Sequence, residues 1–79
     1  MSIQVKFFAS LRELVGCDAA TVEIGEVACA ADVWLAASGG QPLPPNTLVA
    51  VNMEYVAPTQ AVQDGDEVAF FPPVTGGQG

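Results

Sequence analysis

Alternation of apolar and polar residues at the N-terminus is the feature that most constrains the fold of this chain. Every second residue from Ile3 to Phe7 is apolar, and the residues between them are polar. Successive side chains of a β-strand point to opposite faces, so the pattern predicts a half-buried strand over 2–8. Phe8 then falls on the polar face of that strand, which leaves one aromatic side chain pointing away from the core.

The remaining sequence predicts short elements in the order helix, strand, helix and three strands. The predicted helices span 9–15 and 30–38, and the predicted strands span 20–24, 47–52, 55–56 and 67–71. Ser10 and Glu13 have the spacing of a capping box, and Gly16 and Gly39 are natural helix stops. A tight turn is expected near Met53 and Glu54. This order indicates an α+β domain in which helices cover one face of a mixed sheet and leave the other face exposed.

The charge balance excludes several classes of function. Lys6 and Arg12 are the only cations, against nine carboxylates, and the net charge is −7. Nucleic-acid binding needs several basic side chains to neutralise phosphates, so it is excluded. An anionic membrane surface is disfavoured for the same reason. The acidity has two interpretations: it maintains solubility, or it steers the chain toward a basic partner.

Catalysis by this chain alone is not expected. The sequence contains no histidine, which removes the commonest general base. Cys17 and Cys29 are too few and too far apart for a zinc or redox motif, so we expect two reduced thiols and no metal site. No apolar run approaches the roughly 20 residues that span a bilayer, and the N-terminus lacks a secretory signal pattern. A cytoplasmic location is the resulting expectation.

The C-terminal segment has the composition of a projecting arm. Pro72 and Pro73 cannot continue a strand ladder and stiffen the chain, and glycines follow them. Because glycine has no Cβ, Gly76 and Gly77 can pass through a channel too narrow for other residues. Such an arm can deliver a terminal carboxylate into another protein. The alternative is an ordinary frayed terminus without function.

Two aromatic features have both a structural and a functional interpretation. By alternation, Phe71 lies on the outer face of the last strand, so Phe8 and Phe71 can form one exposed patch for a partner. The alternative is that a neighbouring loop covers them. Trp34 lies on the apolar stripe of the second predicted helix, where a core position is favoured over a ligand platform.

Several stretches together resemble the molybdopterin synthase small subunit, a family of sulfur carriers. They are Phe7-Phe8-Ala9, the Arg-Glu-Leu-Val-Gly run over 12–16, Ala50-Val51-Asn52 and, most specifically, the ending over 64–77. The resemblance implies a ubiquitin-like β-grasp fold with a mixed sheet of about five strands. It also implies a domain over 1–72 and a Gly-Gly tail over 73–79.

The family resemblance further implies a mechanism carried out with two partners. An ATP-dependent adenylating enzyme activates the C-terminal glycine carboxylate, which then becomes a thiocarboxylate. The tail enters the large subunit of the synthase and donates sulfur to cyclic pyranopterin monophosphate, which forms the dithiolene of molybdopterin. No cofactor is expected on this chain itself, and a heterotetramer of two small and two large subunits is the expected assembly.

By this resemblance Gly77 is the sulfur-bearing position and Gly76 its slim neighbour. The residues expected to contact partners are Phe8, Phe71, Pro72, Pro73, Val74 and Thr75. Gln78 and Gly79 depart from the family pattern, in which the second glycine of the pair is the last residue. Three hypotheses fit this departure. A protease trims the last two residues, or Gly79 is activated in place of Gly77, or this chain binds partners without carrying sulfur. Two rival functions stay open: a thiamine-type sulfur carrier and a non-catalytic ubiquitin-like interaction module.

Overall fold

A computed structural model of the chain describes residues 1–73, which form a mixed five-stranded sheet and two helices. The elements are β1 (Ser2–Phe7), α1 (Ser10–Val15), β2 (Ala19–Glu23), α2 (Ala30–Ser38), β3 (Leu48–Val51), β4 (Glu54–Val56) and β5 (Glu67–Phe71). The predicted element order and the α+β class are confirmed. The predicted bounds differ from the observed ones only at the ends of elements, where hydrogen bonding rather than residue type decides.

The strand order places the first and last strands side by side at the centre of the sheet. The order is β2-β1-β5-β3-β4; β1 and β5 are parallel, and the other pairs are antiparallel. A parallel pair needs a long crossover connection, and here the intervening chain supplies it. In this register Phe7 lies beside Phe70. The residues that follow each of these two strands therefore meet at one end of the sheet.

The hydrophobic core lies between the inner face of the sheet and the helices. Trp34 of α2 is fully buried, and its ring meets Phe7 and Phe70 edge-on at centroid distances of 5.7 and 5.1 Å. Its Nε1–H donates a hydrogen bond of 2.9 Å to the carbonyl oxygen of Gln41, so the one polar atom of the ring is satisfied. The core interpretation of Trp34 is therefore confirmed. Leu11 of α1 joins the same core, which places both helices on one face.

The predicted capping box at the start of α1 is wrong. The N-cap is Ala9, which makes no side-chain capping bond, and Ser10 is already the first helical residue. A capping box instead begins α2, where the backbone N–H of Cys29 donates to Oδ2 of Asp32 at 3.0 Å. The two helix stops are confirmed because Gly16 and Gly39 adopt left-handed conformations with φ of 92° and 76°.

The hairpin between β3 and β4 turns one residue earlier than the sequence predicts. Its central residues are Asn52 and Met53, with φ of 51° and 73°. Positive φ at both central residues is the requirement of a type I′ turn, which matches the twist of paired strands. Asparagine is usual in such turns, but the second position normally holds glycine. A methionine at the second position is therefore unusual.

Candidate docking surface

The outer face of the sheet is the candidate functional surface. The strand registers align Lys6, Ala69, Ala50 and Tyr55 in one row across β1, β5, β3 and β4. Side chains of paired residues point to the same side of a sheet, and this side lies opposite the core. Within residues 1–73 both helices pack on the other face, so no helix covers this one, although Ala50 at its centre is buried among its neighbours.

An aromatic cluster stands at one end of this face. The rings of Phe8 and Phe71 are stacked, with centroids 4.6 Å apart and planes inclined by 6°. Tyr55 meets Phe71 edge-on at 6.0 Å. Phe8 and Tyr55 remain 41% and 70% exposed, so the cluster is not covered by a loop of residues 1–73. Exposed aromatic groups of this kind are typical of partner surfaces.

The tip of the β3–β4 hairpin borders the opposite side of the same face. Met53 is 92% exposed, and its positive φ strains a residue that carries a side chain. Burial of the Met53 side chain therefore contributes no stability to the isolated chain, and the positive φ of the residue costs backbone strain. A contact made only in a complex is one physical reason for an apolar residue at such a position.

A shallow hollow lies between the aromatic cluster and the hairpin tip. Its volume is about 390 Å³. Ala50 and Ala69 occupy adjacent positions at its floor because they are cross-strand partners of β3 and β5. The surrounding side chains are larger: Lys6, Phe8, Met53, Tyr55, Glu67 and Phe71. Two methyl groups among longer side chains thus create a depression in an otherwise continuous surface.

Both cations of the chain lie close to this surface. The Nζ of Lys6 lies 3.4 Å from Oε2 of Glu67, which is the one ion pair within 4.0 Å in the part of the chain that the structure describes. Both side chains are about half exposed, so the pair contributes little to stability. Arg12 lines a neighbouring cleft of about 310 Å³ beside Phe8 and Lys6. The two cations of the chain therefore lie near the aromatic cluster, while the rest of the surface is acidic.

The root of the tail adjoins the aromatic cluster. β5 ends at Phe71, Pro72 is half-buried, and Pro73 is exposed beside Tyr55 and Leu48 in a second hollow of about 450 Å³. The predicted partner residues Val74 and Thr75 lie outside the described residues. The same holds for Gly76, for the predicted sulfur position Gly77, and for the last two residues, Gln78 and Gly79. The roles assigned to the tail and to the two phenylalanines stay predictions.

The described residues contain no arrangement suited to a metal ion. Among residues 1–73 there is no group of three or more His, Cys, Asp or Glu side chains close enough to hold one. Cys17 is exposed, Cys29 is half-buried at the start of α2, and both are free. No helix of residues 1–73 is long and apolar enough to cross a membrane.

Sequence reasoning placed Phe8 and Phe71 on the outer face but missed three neighbours. Tyr55, Met53 and the alanine floor received no role, because their grouping depends on the pairing of β3 with β4 and β5. Alternation along 67–71 already placed Ala69 on the face of Phe71. Tyr55 had no comparable signal, since β4 is only a three-residue strand.

Comparison with known proteins assigns this architecture to a family. The ThiS family is matched over residues 5–77, which is nearly the whole chain. This chain belongs to the ThiS family. The match includes all seven structural elements from the middle of β1 onward and reaches the Gly-Gly pair.

Individual proteins of known description are also similar to this chain. The chain is 45% identical to the molybdopterin synthase sulfur carrier subunit of Escherichia coli over 85 aligned positions. The alignment covers 95% of this chain and 99% of that protein. It is 37% identical to the protein of the same description from Chlamydomonas reinhardtii, with 98% and 100% covered. Among solved structures, SAMP1 from Haloferax volcanii superposes with a TM-score of 0.79 at 31% identity, covering 95% of this chain and 98% of that one. The ubiquitin-like β-grasp fold expected from the resemblance is confirmed by this ThiS-family and structural similarity.

Proposed function

We propose that this chain is the sulfur carrier subunit of a molybdopterin synthase. One structural observation supports the proposal most directly: the partly exposed stack of Phe8 on Phe71 lies at the root of a proline-glycine tail. A carrier must bind a partner through its domain while its tail reaches a remote site. Relatives at 37–45% identity are described as molybdopterin synthase sulfur carrier subunits, which favours this pathway over a thiamine-type carrier.

The chemistry in this proposal is divided between the carrier and its partners. The adenylating enzyme consumes ATP, transfers AMP to the carboxylate of the terminal glycine and releases pyrophosphate. A sulfur donor then displaces AMP and leaves a thiocarboxylate, and the carrier holds no cofactor at any stage. A carboxylate is a poor electrophile, so activation must precede sulfur transfer. Binding of the domain then positions the thiocarboxylate in the large subunit, where proximity replaces diffusion.

The composition of the chain agrees with this division of labour. The large subunit must supply the cations that hold a phosphorylated pterin and any acid or base, because this chain has two cations and no histidine. A net charge of −7 favours fast encounter with basic surfaces on both partners. Within this proposal the carrier acts in the cytoplasm, and two copies join two large subunits in a heterotetramer.

Gln78 and Gly79 make the position of the sulfur testable. We place the thiocarboxylate on Gly77 after removal of the last two residues, because the side chain of Gln78 would enter a segment that is otherwise slim. Chains ending at Gly77 and at Gly79 are each combined with the adenylating enzyme, a sulfur donor and the large subunit, without a protease. The shorter chain is expected to form molybdopterin, and the longer one to be inactive. Equal activity of the two chains would contradict trimming.

A carrier role and an interaction role are distinguished by the same components. The extension past the Gly-Gly pair leaves open a non-catalytic ubiquitin-like interaction module whose tail does not carry sulfur. In that case a chain lacking residues 76–79 would support cofactor synthesis as well as the full chain. Intact mass of the protein recovered from its own cells provides an independent measurement. A species ending at Gly77 with one oxygen replaced by sulfur is the expected result.

A further inference from the structure

We infer that Lys6 is a modification site, at which the activated terminal glycine of the same chain forms an isopeptide bond when no sulfur donor reaches it. The inference rests on the proposed function, because it needs the acyl-adenylate that the adenylating enzyme makes. It adds a second fate for that group, in which the carrier is closed into a ring through its own lysine. A closed chain has no free terminal carboxylate, so it no longer carries sulfur.

Amino groups are scarce in this chain. Lys6 is its only lysine, and the guanidinium of Arg12 is a poor nucleophile because arginine keeps its charge in proteins. An acyl-adenylate reacts with amines as well as with sulfur nucleophiles. The position of each amine relative to the tail therefore decides whether the chain acylates itself.

Lys6 lies beside the strand that carries the tail. Its register partner on β5 is Ala69, two residues before Phe71, at which that strand ends. Its Nζ lies 3.4 Å from Oε2 of Glu67, which is also on β5, and its side chain is 51% exposed. The ion pair therefore holds the amine over β5, on the outer face of the sheet and accessible to solvent.

The tail is long enough to reach this amine. Glu67 lies four residues before Phe71, which corresponds to about 13 Å along a strand. The residues over 72–77 span up to about 20 Å when they are extended. The glycine pair permits the backbone conformations that a reversal of direction requires. A tail that turns back along β5 thus brings the carbonyl group of its last glycine to Lys6.

The N-terminal amine lies at the opposite end of the sheet. It donates a hydrogen bond of 2.6 Å from Met1 to the carbonyl oxygen of Ile24. β1 and β5 are parallel, and Gln4 pairs with Glu67. Met1 therefore lies about 10 Å farther from the root of the tail than Glu67 does, at about 23 Å along the sheet from Phe71. This distance exceeds the reach of the tail, which leaves Lys6 as the acceptor.

The reaction balances without a further reagent. The neutral amine of Lys6 attacks the carbonyl carbon of the acyl-adenylate, so that a C–N bond forms and the C–O bond to AMP breaks. AMP leaves with the electron pair of that bond, and the amine loses one proton to solvent. Relative to the unmodified chain, the product has lost one molecule of water. No group is oxidised or reduced.

Proximity favours reaction within one chain over reaction between two chains. A short flexible connection gives an effective concentration in the millimolar range, about a hundredfold above that of a carrier present at about 10 µM. A sulfur donor competes with Lys6 for the same carbonyl carbon. The single lysine thereby links the amount of active carrier to the supply of sulfur.

Intact mass in the absence of a sulfur donor tests the inference. The full chain and the chain ending at Gly77 are each incubated, in excess, with the adenylating enzyme, ATP and magnesium, and pyrophosphate release is followed. In whichever chain is activated, a monomer lighter by one water molecule is expected. Peptide mapping is expected to place the new bond between the terminal glycine and Lys6.

The matched control is Lys6→Arg, which keeps the charge opposite Glu67 but lacks a reactive amine. Its pyrophosphate release is expected to match that of the unmodified chain, while the yield of the lighter monomer falls by at least about tenfold. The emission of the buried Trp34 verifies that the variant is folded. Mapping of the unmodified chain gives an answer that does not depend on the variant. Added sulfide is expected to lower the yield.

The possible results separate the two proposals. Pyrophosphate release without loss of water overturns the inference and leaves the proposed function intact. A water loss that persists in Lys6→Arg, a bond to the amine of Met1, or a cross-linked dimer as the main product also overturns the inference. So does a yield that sulfide does not lower, because the two nucleophiles then do not share one acyl-adenylate. Absence of pyrophosphate release from both chains overturns the proposed function, and the inference with it.

Discussion

The ring of Phe8 lies parallel to the ring of Phe71, at a centroid distance of 4.6 Å, on the side of the sheet that faces away from the core. The two residues come from opposite ends of the chain. They meet because β1 and β5 are parallel neighbours and because each phenylalanine stands at the end of its strand. The tail leaves the domain directly after this stack. In the proposed function, the docking surface and the start of the tail thereby lie at one place.

Replacing Phe8 by alanine is expected to weaken docking while the domain stays folded. Phe8 is 41% exposed, so its removal loses only part of the burial energy of a core phenylalanine, and the free energy of unfolding is expected to fall by about 1–2 kcal/mol. Affinity for the large subunit is expected to fall by about tenfold or more, because aromatic anchors dominate interfaces. Calorimetry gives the affinity, and urea unfolding gives the stability.

Phe70 provides the matched control for that experiment. It is the neighbour of Phe71 on the opposite face and is fully buried against Trp34. Phe70→Ala is expected to lower the free energy of unfolding by about 3–5 kcal/mol, as for other large core residues. A Phe8 variant that unfolds as readily as the Phe70 variant would show that the stack belongs to the core of the domain.

Replacing Met53 by glycine is expected to stabilise the isolated chain and weaken its complex. A left-handed conformation costs a residue with a side chain roughly 1–2 kcal/mol, and the greater freedom of glycine in the unfolded state offsets about 0.4–1 kcal/mol of the gain. The net increase in the free energy of unfolding is therefore about 0.5–1 kcal/mol. Urea unfolding checks the increase, and calorimetry with the large subunit checks the loss of affinity. Lower stability of the variant would indicate that the Met53 side chain already packs in the free chain.

Asn52 is expected to stabilise the β3–β4 turn through its side chain as well as its backbone. Its Oδ1 accepts from the backbone N–H of Glu67 at 3.0 Å, and its Nδ2 donates to Oδ1 of Asp66 at 3.0 Å. Asn52→Gly keeps the positive φ but loses both bonds, so the free energy of unfolding is expected to fall by about 1–2 kcal/mol. Asn52→Ala also introduces backbone strain of roughly 1 kcal/mol more. Equal stability of the two variants in urea would contradict the contribution of positive φ.

Local sequence signals were sufficient to predict those elements whose residue types strongly favour one backbone conformation. The alternation from Ile3 to Phe7 and the glycines after each helix led to correct elements. The capping box proposed for Ser10 was wrong because β1 ends at Phe7 and the sharp turn at Ala9 starts the helix. Spacing alone does not reveal which residue is the N-cap. The turn expected near Met53 and Glu54 was placed one residue late, since Asn52 and Met53 hold its two positive-φ positions.

By itself, the sequence determined the element order, the α+β class, the acidic charge and the outward direction of Phe8 and Phe71. These follow from periodicities and compositions that act over a few residues. Only the tertiary structure decided that the two phenylalanines stack, and that Ala50 and Ala69 form a hollow beside Tyr55 and Met53. The reason is physical: strand order and register are set by long-range pairing and core packing, which local patterns do not specify.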